Sequence, residues 1–263
     1  MAVSDESLSR DVALVTGGGS GIGRAIALRL SAAGARVGVL GRRRELLEQV
    51  AREIADGGGS AVTLVADVTQ RTAVDAAVER LFDEWGSISL LVNNAGSGRS
   101  APFTKTSAEL WNEMLGVNLT GAYHVTRAVV PQMINAARGR IVSIASVAGL
   151  KGYPYISAYC AAKHGLIGLT RALAVELAGK NITVNAVCPG YVETPMTEQT
   201  LAAIREHTGR SRDEAWSELA AHSPQRRMFD AEEIASMVVY LCSSAARGVN
   251  GQAIPVCGGE MAV

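Results

Sequence analysis

The chain has 263 residues, with 25 Lys and Arg against 25 Asp and Glu, 48% hydrophobic residues and 19% charged ones. That is length enough for one full core. Zero net charge offers no basic face for nucleic acid, and no apolar run approaches the roughly 18 residues of a membrane-spanning helix. The N-terminal MAVSDESLSR lacks the basic and apolar regions of a leader. Cys160, Cys188, Cys242 and Cys257 are too scattered for a metal or redox motif. Buried free thiols in a reducing cytosol are expected, with no metal site.

Apolar periodicity then gives the elements in order. DVALVTG (11–17) reads as a strand buried on both faces. SGIGRAIALRLSAAGA has helical spacing, with Ile22, Ile26 and Leu30 on one stripe and Gly34 as a stop. RVGVLG (36–41) is a second strand, and RRELLEQVAREIADGGG a charged amphipathic helix. AVTLVAD (61–67) is a third strand, TAVDAAVERLFDEWG a helix and ISLLVNNAG (88–96) a fourth strand. A helix over 107–119 is predicted to run on through 120–137. Strand 139–146, helix 157–179, strand 182–190, helix 230–244 and a last short strand, QAIPVCGG, complete the series.

Strand–helix alternation with short connections predicts an α/β fold: one doubly wound, Rossmann-type parallel sheet with helices on both faces. No linker interrupts it, so residues 1–263 are expected to form a single dinucleotide-binding domain. Residues 191–228 depart from the rhythm just beyond a strand's carboxyl end. They are expected to form a substrate lid, with a surface helical hairpin as the alternative. Met196, Trp216, Met228 and Phe229 could wall a substrate or pack the lid onto the body.

TGGGSGIG follows the first strand and opens the first helix, the context that makes a glycine triplet informative. Gly17, Gly21 and Gly23 suit a tight turn, close backbone approach and close helix–sheet packing. Ser20 and Ile22 complete a cradle in which helix-start N–H groups favour a pyrophosphate. The second strand ends in Gly41, Arg42 and Arg43, with no carboxylate to repel a 2′-phosphate and two guanidinium groups to bind one. NADP(H) is therefore the expected cofactor. Asp67, ending the third strand, could accept from an adenine amino group, with Val68 beside it. In NNAG (93–96), Asn94, Ala95 and Gly96 offer further cofactor contacts. Each asparagine could equally brace the strands.

AYCAAKHG sets Tyr159 and Lys163 four residues apart, on one helix face and among small neighbours. A cation there is expected to lower the phenol's pKa of about 10 and make Tyr159 an acid/base group. Ser146 ends the strand IVSIAS, where its hydroxyl could polarise a carbonyl oxygen.

TGGGSGIG, NNAG, VNLTG, Ser146, YCAAK and CPGYVETPM occur in an order and spacing that resemble the short-chain dehydrogenase/reductases over essentially the whole chain. Within that family the chain is most similar to 3-oxoacyl-thioester reductases and aromatic-polyketide ketoreductases, as CPGYVETPM and the closing VCGG suggest. The resemblance implies a catalytic set of Ser146, Tyr159, Lys163 and Asn118. Tyr159 would donate the proton, Ser146 would hold the carbonyl, Lys163 would bind the nicotinamide ribose, and Asn118 would hold a water linking Lys163 to solvent. In Pro189, Gly190, Val192 and Thr194, the last two would bind the nicotinamide carboxamide. It also implies a homotetramer pairing the helices that hold Asn118 and Tyr159.

One departure concerns the acyl carrier. Where carrier-protein reductases resemble one another in basic docking residues, this chain has Ala137 and Val175, with Arg138 and Arg171 nearby. A CoA thioester, a polyketide or a small cyclic ketone gains ground as the substrate. The alternatives are an NAD-dependent dehydrogenase of a hydroxyacyl-CoA or other secondary alcohol, and, more remotely, a non-catalytic dinucleotide-binding regulator.

Overall fold

Five consecutive buried residues form β1 (Val12–Thr16), and its two faces meet different cores. Ala13 and Val15 enter one cluster, Val12 and Leu14 the other, as the two-residue period of a strand requires. The computed structural model describes residues 8–262; Met1–Ser7, most of the stretch read as free of a leader, and Val263 lie outside the described residues.

Six more strands follow: β2 (Arg36–Gly41), β3 (Ala61–Val65), β4 (Leu90–Asn93), β5 (Gly139–Ile144), β6 (Ile182–Pro189) and β7 (Ala253–Val256). All seven pair in parallel, in the order β3-β2-β1-β4-β5-β6-β7. The helices are α1 (Gly21–Ala32), α2 (Arg44–Asp56), α3 (Arg71–Trp85), α4 (Ala108–Leu115), α5 (Gly121–Ala136), α6 (Ser157–Leu177), α7 (Pro195–Thr208), α8 (Arg212–Ala220) and α9 (Ala231–Cys242). Apolar residues of α1, α2 and α9 fill one core, and those of α3, α5 and α6 the other. This is the expected doubly wound sheet. Strand order reverses between β1 and β4, which opens a crevice at their carboxyl ends.

Local side-chain bonds end several strands sooner than apolar content suggests. β3 stops at Val65, and Asp67 lies beyond it, its carboxylate accepting from the Thr69 amide and hydroxyl at 2.9 and 2.8 Å. β5 stops at Ile144, and Ser146 caps a 3₁₀ turn by accepting from the Ala148 amide at 3.1 Å. β4 begins at Leu90 rather than 88, because the Ser89 hydroxyl donates to Asp11 at 2.7 Å. The helix expected to run unbroken from 107 to 137 carries a π-helical turn at Gly116–Thr120, the wide turn that puts Asn118 inside.

The excursion over 191–228 is the helical pair α7 and α8, closed at its base by backbone pairing. Val192 bridges to Phe229, whose amide donates to the Tyr191 carbonyl and whose carbonyl accepts from the Glu193 amide, both at 2.9 Å. Trp216 and Met228 pack inside the excursion with Leu201, Ala215 and Leu219. Phe229 joins the main core. Of the four candidate wall residues only Met196 stays substantially exposed.

At the opposite edge of the sheet, Asp11 is 1% exposed. It accepts from Ser89 and from Arg138 through both carboxylate oxygens, the closest Arg138 contacts being 2.8 Å. One carboxylate thus fastens the starts of β1 and β4 to the turn before β5. Asp11→Ala should lower unfolding free energy by about 2–3 kcal/mol, the scale of hydrogen bonds to a charged group. Urea midpoints measure this, and a loss below 1 kcal/mol would show that the cluster holds little.

Candidate active site

The turn after β1 is built around two left-handed glycines, Gly17 (φ 64°) and Gly21 (φ 51°). A Cβ on Gly23 would overlap the Gly17 carbonyl and the Asn94 amide nitrogen. Both asparagines act as braces. Asn94 donates to the carbonyls of Thr16 and Gly17 at 2.9 and 3.2 Å, and Asn93 donates to Thr126 at 2.8 Å. Thr16, which sequence reasoning passed over, ties the crevice together: its hydroxyl accepts from the amides of Asn94 and Ala95, each at 3.0 Å. Its only signal was a polar residue closing an otherwise apolar strand.

The Ser20 hydroxyl does not cap α1. It accepts instead from Arg43 at 3.1 Å. That leaves the first-turn N–H groups of α1, at Gly21, Ile22 and Gly23, without a side-chain cap and sets a guanidinium beside them. Arg42 reaches toward Asp67, 3.8 Å away. The Val68 carbonyl faces the His124 ring nitrogen at 3.1 Å. A turn without Cβ atoms, uncapped amides and two arginines are the donor set that a phosphorylated dinucleotide requires, so these residues fit NADP(H).

Beyond the crevice, Tyr159 and Lys163 lie on one face of α6, with the ammonium 5.6 Å from the phenol ring centroid. Lys163 is 4% exposed and donates to the Ile144 carbonyl at 2.8 Å. The main-chain acceptor at a strand end carried no residue-type signal. Ser146 lies close enough to the Tyr159 hydroxyl to favour its charged form. The expected lowering of the Tyr159 pKa by its lysine is not what the free protein has. Burial pushes the phenol up to about 12, against a smaller opposing effect of Ser146. Burial also brings Lys163 down to about 8. Two groups that each lose water on folding both favour their neutral forms.

Asn118 is 1% exposed. Its amide donates to Ser97 and Met114 carbonyls, both at 2.9 Å, and its carbonyl oxygen accepts from the Ser97 amide at 3.3 Å. The side chain is committed to holding the loop after β4. A Cβ at Gly96 would stand 2.9 Å from Asn118 Oδ1 and 3.7 Å from Lys163 Nζ, so Gly96, Asn118 and Lys163 share one corner. Across the crevice, Pro189 ends β6 and the Gly190 amide donates to Val256 at 3.0 Å. Thr194 caps α7, its side chain in contact range of where a Gly21 Cβ would lie. The glycine turn, the Ser146–Tyr159–Lys163 group and the 189–194 segment therefore ring one cleft.

Residues 11–205 match the family model described as short chain dehydrogenase. A Streptomyces coelicolor protein named as a ketoacyl reductase is 41% identical over 255 residues, covering 95% of this chain and 96% of that one. A 3-oxoacyl-acyl-carrier-protein reductase of Thermotoga maritima is 39% identical over 252 residues, covering 96% and 98%. Among solved structures, a single-residue variant of actinorhodin polyketide ketoreductase, crystallised with NADPH, superposes with a TM-score of 0.92 at 40% identity over 95% of this chain and 97% of that one. With a family match over most of the chain and relatives aligned nearly end to end, this chain belongs to the short chain dehydrogenase family.

Proposed function

We propose that the protein is an NADP(H)-dependent ketone reductase acting on a 3-oxoacyl thioester, a polyketide or a small cyclic ketone. The observation that carries this is Tyr159, with Ser146 close to its hydroxyl, set one helical turn from a buried ammonium at the edge of a glycine-turn cradle. NADPH bound in that cradle supplies the hydride.

The chain's own residues manage the proton. A phenol held near 12 is fully protonated at neutral pH, so Tyr159 is ready to give its proton to the carbonyl oxygen. The Ser146 hydroxyl polarises the same oxygen. Phenolate formation places a negative charge beside Lys163, which restores the ammonium's preference for charge and stabilises the phenolate in turn. With its side chain engaged, Asn118 holds the loop after β4 at the corner it shares with Gly96 and Lys163. Arg43 and Arg42 select the 2′-phosphate, and relatives named as reductases, one crystallised with NADPH, support the same choice.

The same reading makes the chain one catalytic domain with 191–228 as its lid. Among the described residues no helix is long and apolar enough to cross a membrane; we place the protein in the cytoplasm. Tyr123 on α5 and Val175 on α6 expose apolar surface, which suits a tetramer joined through those helices. Arg138 is spent on Asp11, which weakens it as a carrier-protein contact and favours CoA esters or free ketones.

Initial rates with NADPH and NADH against acetoacetyl-CoA, the same acyl group on carrier protein and a bicyclic ketone test the assignment. Reduction of at least one ketone with NADPH preferred is expected; none would overturn it. Tyr159→Phe should lower kcat about 10³-fold while NADPH still binds. Alcohol oxidation, which needs the phenolate, should quicken as pH rises while reduction does not. Residual turnover above a few per cent would remove Tyr159 from the proton step. Arg43→Ala should raise KM for NADPH about tenfold and leave KM for NADH within about twofold, as for a lost charge-assisted contact. Equal changes would place the phosphate elsewhere.

Lys163 yields a stability test. Its folded pKa of about 8 lies below the ordinary 10.5. At neutral pH the ammonium is charged in both states, and burying it costs on the order of 3 kcal/mol. That cost fades as pH rises from 8 to 10.5. Cofactor-free Lys163→Met should melt a few degrees above the native protein at pH 7, with the gap closing toward pH 10, while turnover is lost. A melting point at or below the native value contradicts this.

A further inference from the structure

Besides Asp11 and Lys163, a third charged side chain, Glu260, is buried, and it has no part in the proton chemistry above. Glu260 follows the paired glycines Gly258 and Gly259, both left-handed at φ 58° and 91°. That tight turn presses the C-terminal strand end against the foot of the lid. A Cβ on Gly258 would overlap the Ser223 hydroxyl, and one on Gly259 would touch the Pro224 ring. The turn delivers the Glu260 side chain, 2% exposed, into the interior.

Three side chains from two other segments meet it. Lys151 stands 3.2 Å from its carboxylate and His222 stands 3.9 Å away, each about two-fifths exposed. The Tyr153 hydroxyl donates to the same carboxylate. Lys151 also lies over the Tyr153 ring at 5.1 Å, and the His222 ring contacts those of Tyr153 and Tyr191 at 5.9 and 5.6 Å. Lys151 and Tyr153 belong to the loop between Ser146 and Tyr159. His222 follows α8, in the lid. Tyr191 opens the lid, and its ring meets that of His222. The group is thus built on the loop that runs from Ser146 to Tyr159 and on both ends of the lid.

A carboxylate taken out of water is tolerated only when it is paired and hydrogen-bonded. Glu260 satisfies that need by drawing the substrate loop and the lid foot onto one point. We infer that Glu260 is a positioning residue: its carboxylate latches the lid to the 150–156 loop and fixes Tyr153 in the wall that a ketone's carbon skeleton meets. The substrate part of this inference rests on the ketone-reductase reading; the latch itself does not. Such a residue acts on binding of the substrate, not on proton transfer or on the cofactor.

The test compares Glu260→Ala, Glu260→Gln, Tyr153→Phe and the double variant Glu260→Ala/Tyr153→Phe in the full chain. Trypsin reports the latch without any need for activity. Arg226 is exposed in a strained turn (φ 52°) beside His222, and its bond to Arg227 should be cut about tenfold faster in Glu260→Ala, read by mass spectrometry. Glu260→Gln, which keeps an acceptor for Tyr153, should recover at least half of that protection. With NADPH saturating, Glu260→Ala and Tyr153→Phe should each raise KM for the ketone about tenfold, with kcat within about twofold and NADPH affinity unchanged. The double variant should be no worse than the worse single, since both break one contact. Cleavage at the native rate in Glu260→Ala overturns the latch. Faster cleavage with unchanged KM, or a kcat that falls with the KM rise, overturns the substrate role. Should the native protein reduce no ketone, the ketone-reductase reading fails, and the cleavage comparison alone decides the latch.

Discussion

The active-site cleft depends on holding one ammonium out of water without a carboxylate beside it. Lys163 donates to the main-chain carbonyl of Ile144, the last residue of β5. To reach it, α6 must press closely on the turn after β5. Small residues permit the approach: a Cβ on Gly149 would stand 2.8 Å from the Lys163 carbonyl oxygen, and Ala158 and Ala162 are buried along the same face. The same approach brings Ser146 against Tyr159. Sheet, helix and the Ser146–Tyr159–Lys163 group are thus coupled through a single desolvated charge whose burial lowers stability.

The glycine turn follows a similar logic at the switch point between β1 and β4. Its backbone is free to meet an anion because other groups hold it from behind. Thr16 and Asn94 saturate the amides and carbonyls of the crevice floor, and the first turn of α1 faces outward without a side-chain cap. The cradle is rigid where it touches the sheet and unsatisfied where a ligand would sit.

The parallel sheet and the helices on its faces were legible because apolar residues recur with periods of two and 3.6, and those periods are set by backbone geometry. Tyr159, Lys163 and Ser146 were legible because residue type and spacing coincide with the chemistry. Strand ends were not, since Asp67, Ser89 and Ser146 end the ladders through side-chain bonds that hydrophobicity does not register. Nor was the direction of the Tyr159 shift. Spacing reveals the neighbouring cation, whereas the burial that raises the phenol's pKa is a property of the whole packed site. Glu260 illustrates the limit most plainly: a lone acid near the C-terminus acquires partners only when Lys151, Tyr153 and His222 are folded around it.

The pairing of Val192 with Phe229 has a consequence for how such a protein can change. The excursion hangs from the sheet by a two-rung backbone clasp, and its helices carry their own small core around Leu201 and Leu219. Main-chain pairing is indifferent to side-chain identity. The segment between the rungs can therefore lengthen, shorten or exchange its apolar lining while the catalytic strands below keep their register. Modularity of this kind lets one sheet framework be refitted to differently shaped ketones, with the clasp as the natural junction for exchanging segments between relatives.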